Sequence, residues 1–153
     1  VTITINDNSI EDCGIGIDVV CTAGEGPVVS GNNIRNSDAS YGIRVRAAAG
    51  QFDGATVTGN KVDTTVNHGI FIEGGLNVAV TGNNVLNAGA DGISLVNVDE
   101  RMVDTNRVEG ATGDGIDEAV TWDQNDYTGN HLRGNGSKWS LGGTNRTTAH
   151  NKG

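Results

Sequence analysis

The feature that most constrains the fold is a phrase that recurs about every 23 residues along the chain. Residues 56–62 read TVTGNKV and residues 79–85 read AVTGNNV. Related phrases are ITINDNSI (3–10), VVSGNNI (28–34), MVDTNRV (102–108) and DYTGNHL (126–132). A fixed period between about 20 and 50 residues is typical of solenoids, in which each unit buries its apolar residues against its neighbours.

Every phrase carries an Asn at the same position, with apolar residues three positions before it and two after it. Asn tolerates the left-handed conformation of a tight turn, and its side-chain amide can bond the equivalent Asn of the next coil. Stacked strands lie about 4.8 Å apart, which suits such bonds. We therefore predict an Asn ladder formed by Asn8, Asn32, Asn60, Asn83, Asn106 and Asn130.

A second phrase follows each Asn after about ten residues, and its alternation of apolar and polar residues predicts a strand with one buried face. It reads GIDV (16–19), GIRV (42–45), GIFI (69–72), GISL (92–95), GIDE (115–118) and KWSL (138–141). The two inward-facing positions of this phrase are apolar in every coil except the fifth, where Glu118 occupies the second of them. Arg101 and Asn125 stand near strand starts where earlier coils have Pro27, Ala55 and Val78, so we expect the core to fray in the last two coils.

These patterns predict an all-β chain folded as a right-handed parallel β-helix solenoid of about six coils over residues 1–142. Residues 143–153 lose the repeat and are expected to form a polar cap or tail. The chain opens on a strand with no initiating Met, which favours a piece of a larger protein. We expect adjoining domains, subunits or stacked copies to cover the open ends of the helix.

The composition of the chain disfavours some classes of binding partner. The formal net charge of −9 disfavours nucleic acid, and no apolar stretch approaches the roughly 20 residues of a membrane span. Cys13 and Cys21 either form a disulfide or are two small buried side chains, and they lack the companions of a zinc site. No cofactor is expected, with Ca²⁺ left open.

The two phrases and the Asn ladder resemble the parallel β-helix repeats of the pectate-lyase-like superfamily, which includes mannuronan C5-epimerases and NosD-like repeats. The resemblance covers nearly the whole chain. It implies that the substrate face lies along the G-I-x-[VIL] strand. On that strand the candidate substrate-binding residues are Arg44, Arg46, Phe71, Glu73 and Asp117.

The residues just before the Gly of this strand form a stacked column, and the candidate catalytic residues are Tyr41, His68, Asp91 and Asp114. Removing the C5 proton of a uronic acid needs a base, an acid and a cation, which these side chains and the two arginines can supply. Asp91 above Asp114 is a like-charge pair, which raises one pKa or shares a cation such as Ca²⁺. The competing interpretation, which we favour, is that polar residues stand there as turn formers and that Arg44 forms an ion pair with Asp18 of the neighbouring coil on a solvated face.

The Asp-Pro-His-Glu motif of the mannuronan epimerases is absent, since the sole proline is Pro27. Phe52, in an insertion of the second coil, either stacks on a sugar or belongs to a small satellite core. The sequence therefore predicts a non-catalytic module, structural or polysaccharide-contacting, of a larger extracellular, cell-surface or virion-surface protein. The alternatives are a lyase or C5-epimerase of acidic polysaccharide, and a subunit of an end-to-end filament.

Overall fold

The computed structural model describes residues 2–22, 24–48, 51–119 and 125–142, and the backbone of residues 146–149. These residues form parallel strands and turns, without a helix, stacked into three sheets that run along one solenoid. The predicted right-handed parallel β-helix is confirmed. Within the described residues there is no helix long and apolar enough to cross a membrane.

Each coil contributes one strand to each sheet, and every strand pair in the three sheets is parallel. The first sheet contains β1 (Thr4–Asn6), β5 (Val28–Ser30), β9 (Thr56–Thr58), β12 (Ala79–Thr81), β15 (Met102–Asp104), β18 (Asn125–Thr128) and β21 (Arg146–Ala149). The second contains β2 (Ser9–Cys13), β6 (Asn33–Ser37), β10 (Lys61–Thr65), β13 (Asn84–Ala88), β16 (Arg107–Glu109) and β19 (His131–Arg133).

The third sheet holds the G-I-x-[VIL] strands. It contains β3 (Ile17–Cys21), β7 (Ile43–Ala47), β11 (Ile70–Leu76), β14 (Ile93–Asp99), β17 (Asp114–Glu118) and β20 (Ser137–Leu141). Two short strands, β4 (Gly24–Glu25) and β8 (Phe52–Asp53), pair with each other, and β8 also pairs with β11. The third sheet is therefore wider than the other two in the first coils.

The core is the inside of this solenoid, and the sequence columns fill it in register. Ile43 pairs with Ile70, Ile70 with Ile93, and Ile93 with Ile116, and all four side chains are fully buried. Burying a side chain of this size removes it from water at a gain of about 1.5–3 kcal/mol. Stacking identical residues therefore stabilises each coil through its neighbours.

The ladder asparagines are joined by hydrogen bonds along the whole stack. Asn60 Nδ2 donates to Asn83 Oδ1 at 3.0 Å, and Asn83 Nδ2 donates to Asn106 Oδ1 at the same distance. Each Oδ1 also accepts the backbone N–H of the preceding Asn in the column, as Asn83 Oδ1 does from Asn60 at 2.9 Å. The bonds continue to Asn8, Asn32 and Asn130.

The left-handed residue of this turn is not the ladder Asn, contrary to our expectation. It is the residue just before it, for instance Gly59 with a φ of 64° or Thr105 with a φ of 53°. The amide of the Asn is thereby free to point inward and bond along the stack. A second left-handed position follows each Asn by four residues, as at Asn36 and Asn87.

The Gly of the G-I-x-[VIL] phrase is needed for close packing. A Cβ on Gly69 would lie 2.3 Å from Val85 Cγ1 and 2.7 Å from the carbonyl oxygen of Gly92. Both contacts are shorter than real Cβ atoms show, and the first involves a fully buried valine. The Gly column therefore lets the turn before the third sheet approach the second sheet.

The structure decides two alternatives that the sequence left open, one for Phe52 and one for the two cysteines. Phe52 is 1% exposed, and its ring fills the space above Gly75, so it belongs to the core and not to a sugar-stacking surface. Cys13 and Cys21 are free thiols. They lie on β2 and β3, in different sheets, so they are two separate small side chains.

The expected fraying of the last coils is wrong. Arg101 and Asn125 are almost completely buried, and both bond to the equally buried Glu118. Tyr127 completes the network, because its hydroxyl accepts from Arg101 Nε and donates to Glu118 Oε2, both at 2.9 Å. Arg101 also donates to the carbonyl of Val98. A buried charge is tolerated when it is paired and its hydrogen-bonding groups are satisfied.

Part of the predicted terminal segment lies outside the described residues, namely 143–145 and 150–153. Within that segment β21 pairs with β18, so that Tyr127 is in register with Thr148. The first sheet therefore extends one strand beyond the last ladder position, Asn130.

Replacing a ladder Asn should lower the free energy of unfolding more than replacing the residue next to it. Asn83→Ala removes the donor to Val57 O and leaves the backbone N–H of Asn60 without its acceptor. Asn60 Nδ2 loses one of its two acceptors and keeps Val29 O. We expect a loss of about 3 kcal/mol or more in the free energy of unfolding, because buried donors lose their partners. Urea unfolding followed by circular dichroism measures this loss.

The matched control is Asn84→Ala, since the Oδ1 of that half-buried Asn has no hydrogen-bond partner. A change within about 0.5 kcal/mol is expected for the control. Equal losses for the two variants would contradict a stabilising role of the ladder.

The buried ion pair should behave as a unit. Glu118→Leu alone leaves the Arg101 guanidinium buried without its carboxylate and should cost about 3–5 kcal/mol. The double variant Arg101→Met/Glu118→Leu should recover most of that loss, since no charge is left behind. Thermal unfolding of the two variants checks the order, and a single variant as stable as the double one would refute it.

Candidate functional site

The four candidate catalytic residues lie in consecutive coils on one edge of the third sheet. The backbone places them there: Gly42 N donates to the carbonyl of His68, Gly69 N to that of Asp91, and Gly92 N to that of Asp114. Gly16 N donates in the same way to Tyr41 O. The stack predicted for Tyr41, His68, Asp91 and Asp114, here named the site column, is therefore present.

Three aromatic rings meet at one end of the site column. The ring centroids of Tyr41 and His68 are 5.7 Å apart with planes inclined by 17°, and Phe71 lies 5.1 Å from Tyr41 and 5.3 Å from His68. All three side chains are half-buried. We call Tyr41, His68 and Phe71 the three-ring cluster, and it gives this face an apolar platform that reaches the solvent.

The two arginines of this face are held by one aspartate. Arg44 binds Asp18 in a bidentate manner, with Nε 2.9 Å from Oδ1 and Nη2 2.5 Å from Oδ2, and Arg46 Nε lies 3.7 Å from Oδ1. The hydrogen bond from Arg44 holds the pKa of the Asp18 carboxyl below its usual value. The Arg44 guanidinium also lies 5.0 Å from the centre of the Tyr41 ring, within cation–π range.

His68 pairs with the next residue of the site column. Its Nδ1 lies 3.1 Å from Asp91 Oδ2 and, when unprotonated, accepts the backbone N–H of Asp91 at 3.3 Å. When Nδ1 carries the proton it donates to the carboxylate, and Nε2 then has the free lone pair. Burial lowers the pKa of His68 below 6.5, and the nearby Asp91 and Asp117 carboxylates only partly offset it.

The lower end of the site column is acidic. The backbone N–H of Asp114 donates to Asp91 Oδ1 at 2.8 Å, which is a turn-type contact between successive coils. Burial, together with the charges of Asp91 and Asp114, raises the pKa of Asp117 above its ordinary value. Ser94 Oγ lies 3.5 Å from Asp117 Oδ2, and this serine is 2% exposed.

The structure thus brings together the site column, Arg44, Arg46, Phe71 and Asp117. Glu73 is exposed on the same face, in register with Arg46. Asp18 was not among the predicted site residues. Its ion pair with Arg44 of the neighbouring strand β7, which the competing interpretation predicts, is present.

A shallow depression lies elsewhere, at the corner between the third and first sheets. It is open to solvent and is lined by Asn77, Val78, Ala79, Glu100, Arg101 and Met102. It contains none of the predicted site residues. The candidate site is an open face, which suits a polymer better than a small enclosed ligand.

Comparison with known proteins assigns the chain to a family. The sequence profile of the family described as periplasmic copper-binding protein (NosD) matches residues 1–152. The chain belongs to the NosD family. No curated protein matches the sequence of this NosD-family chain significantly.

Two solved structures show the same fold. The periplasmic alginate epimerase AlgG is 17% identical with a TM-score of 0.69, over 97% of this NosD-family chain and 43% of the enzyme. The A-module of the mannuronan C-5 epimerase AlgE4 of Azotobacter vinelandii is 14% identical with a TM-score of 0.57, over 99% and 53%. The chain therefore spans about half, or less, of these epimerases, and the likeness shows a shared fold.

Copper is named in the description of the NosD family. The question is therefore whether the cysteine, methionine and histidine side chains of the described residues lie close enough together to bind it. Copper prefers thiolate, thioether and imidazole donors. Here Cys13, Cys21, Met102 and His131 lie on β2, β3, β15 and β19, in separate parts of the three sheets. His68 lies two residues before β11, where its neighbours are Asp91, Tyr41 and Phe71. Within the described ranges, no group of three or more His, Cys, Asp or Glu side chains is arranged to hold a metal ion. These residues do not fit a copper site.

The lowered pKa of His68 predicts how stability depends on pH. The unfolded chain takes up the proton at about pH 6.5 and the folded chain only at lower pH, so stability falls as the pH drops below 6.5. Asp91→Asn removes a carboxylate that raises this pKa and should lower it further. Nuclear magnetic resonance titration of the imidazole measures both pKa values.

Asp63→Asn serves as the control for this titration, because it removes a carboxylate on β10, in the second sheet. That variant should leave the pKa of His68 unchanged. A pKa at or above 6.5 in the unaltered chain, or equal shifts in the two variants, would contradict the described environment of His68.

Proposed function

We propose that this chain is a polysaccharide-contacting β-helix module of a larger protein outside the cytoplasm, in the periplasm or at the cell surface. The observation that carries the proposal is the three-ring cluster on the open face of the third sheet. An aromatic ring offers a flat apolar surface that matches the C–H face of a pyranose, and it needs no closed pocket. The rows of polar side chains beside it supply hydrogen bonds to hydroxyl groups.

Three further observations support this proposal. The face is long and open, as a polymer requires. The NosD family and AlgG are both described as periplasmic, and both structural neighbours act on polysaccharides by their names. Asp18 already neutralises much of the charge of Arg44 and Arg46, so the face is suited to binding more than to chemistry.

Affinity electrophoresis and calorimetry test the proposal with alginate, pectate and a neutral glycan, each with and without Ca²⁺. Phe71→Ala removes one ring of the platform and should weaken binding by about tenfold, which is about 1.4 kcal/mol. Met102→Ala is the matched control, because Met102 is 45% exposed on the first sheet, away from this face. Absence of binding to every polymer, or equal losses in the two variants, would refute the proposed function.

The second candidate function is a lyase or C5-epimerase of acidic polysaccharide, and the His68–Asp91 pair favours it. In the tautomer that donates Nδ1–H to the Asp91 carboxylate, Nε2 is able to accept a proton. Tyr41 lies at the equivalent position of the preceding coil. Its test is C5 proton exchange by nuclear magnetic resonance and formation of unsaturated product by absorbance. Turnover that disappears in His68→Ala/Asp91→Asn would establish this activity in place of a binding role alone.

A further inference from the structure

Of the two arginines of the candidate site, Arg44 is already hydrogen-bonded to a carboxylate of the protein, and Arg46 lies in ion-pair range of the same carboxylate. Arg44 uses two of its five N–H groups on Asp18, in the bidentate geometry with which an arginine would bind the carboxylate of a uronic acid. Arg46 directs its Nε toward the same Asp18, at 3.7 Å. An incoming carboxylate would therefore compete with a carboxylate of the protein itself.

The remaining charges of this face are negative. Its outward rows and the site column carry five carboxylates, on Asp18, Glu73, Asp91, Asp114 and Asp117, against the guanidinium groups of Arg44 and Arg46. The whole chain adds to this bias with a formal net charge of −9. A polyanion laid along the face would meet like charges in most coils, which is unfavourable.

We infer that the glycan bound by this face is uncharged, and that Asp18 is the residue that sets this specificity. The inference rests on the proposed function and names the chemical class of its ligand. The three-ring cluster supplies the contact with the sugar ring. Asp18 withdraws Arg44 from anion recognition and offsets part of the charge of Arg46. The carboxylates around Asp91 accept hydrogen bonds from hydroxyl groups.

The experiment compares polymers that differ only in the charge of their carboxyl groups. Alginate is paired with its propylene-glycol ester and pectate with its methyl ester, and a soluble neutral β-glucan completes the panel. We expect the unaltered chain to bind a neutral polymer at least about tenfold more tightly than either polyanion. Its binding of the neutral polymer should not depend on salt.

Asp18→Asn then tests the residue. This substitution frees Arg44 and Arg46 and should strengthen binding of the polyanions by about tenfold, a gain that high salt removes. Glu11→Gln is the matched control, since it makes the same change in net charge and breaks another exposed ion pair, that of Arg35 on the second sheet. The control should change polyanion binding by less than about twofold.

The outcomes separate the two proposals. Polyanions bound as tightly as their esters by the unaltered chain would overturn the inference and leave the proposed function standing. Failure to bind any polymer of the panel would overturn the proposed function and the inference with it. Equal effects of Asp18→Asn and Glu11→Gln would overturn the role of Asp18. If Asp18→Asn does not fold, the order of affinities of the unaltered chain still decides the charge class.

Discussion

The fold depends on the hydrogen bonding of each coil to the coils on either side. A single coil of about 23 residues is too small to bury its own apolar side chains, so its core is completed only by its neighbours. The ladder asparagines fix the register of this stacking, because each amide bonds the Asn of the next coil and a backbone carbonyl of the preceding coil, as Asn83 does with Asn106 and Val57. A slip of one residue would place an amide where a Val or Ile must be buried.

The same logic explains how the core accepts its exceptions. Glu118 replaces an apolar residue of one column, and Arg101 and Asn125 replace apolar residues of another. These positions are far apart in the repeat pattern but meet inside the solenoid, where Tyr127 bonds to both charges. Each substitution alone would leave an unpaired polar group, and together they form a satisfied network.

The outward face of the third sheet is not constrained by this stacking, and it is where the chain departs most from a regular repeat. Four successive coils carry Tyr41, His68, Asp91 and Asp114 at equivalent positions, whereas the glycines that follow them do not vary. Asp91 serves both interpretations, since its carboxylate accepts the N–H of Asp114 as a turn former and also contacts the imidazole of His68. Turn chemistry and a ligand face are thus compatible in the same side chain.

The sequence by itself determined the solenoid, the register of the inward columns and the stacking of the site column, because all of these follow from a strict repeat and one repeating geometry. It did not determine which turn residue adopts the left-handed conformation, since both Gly59 and Asn60 can adopt it. The choice depends on the hydrogen bonds that the Asn side chain makes inside the solenoid. The sequence placed Asp18 beside Arg44 through the strand register, but it could not decide the partners of Arg101 and Glu118. Those depend on which long side chains from different coils reach each other, and such distances exist only once the coils are stacked.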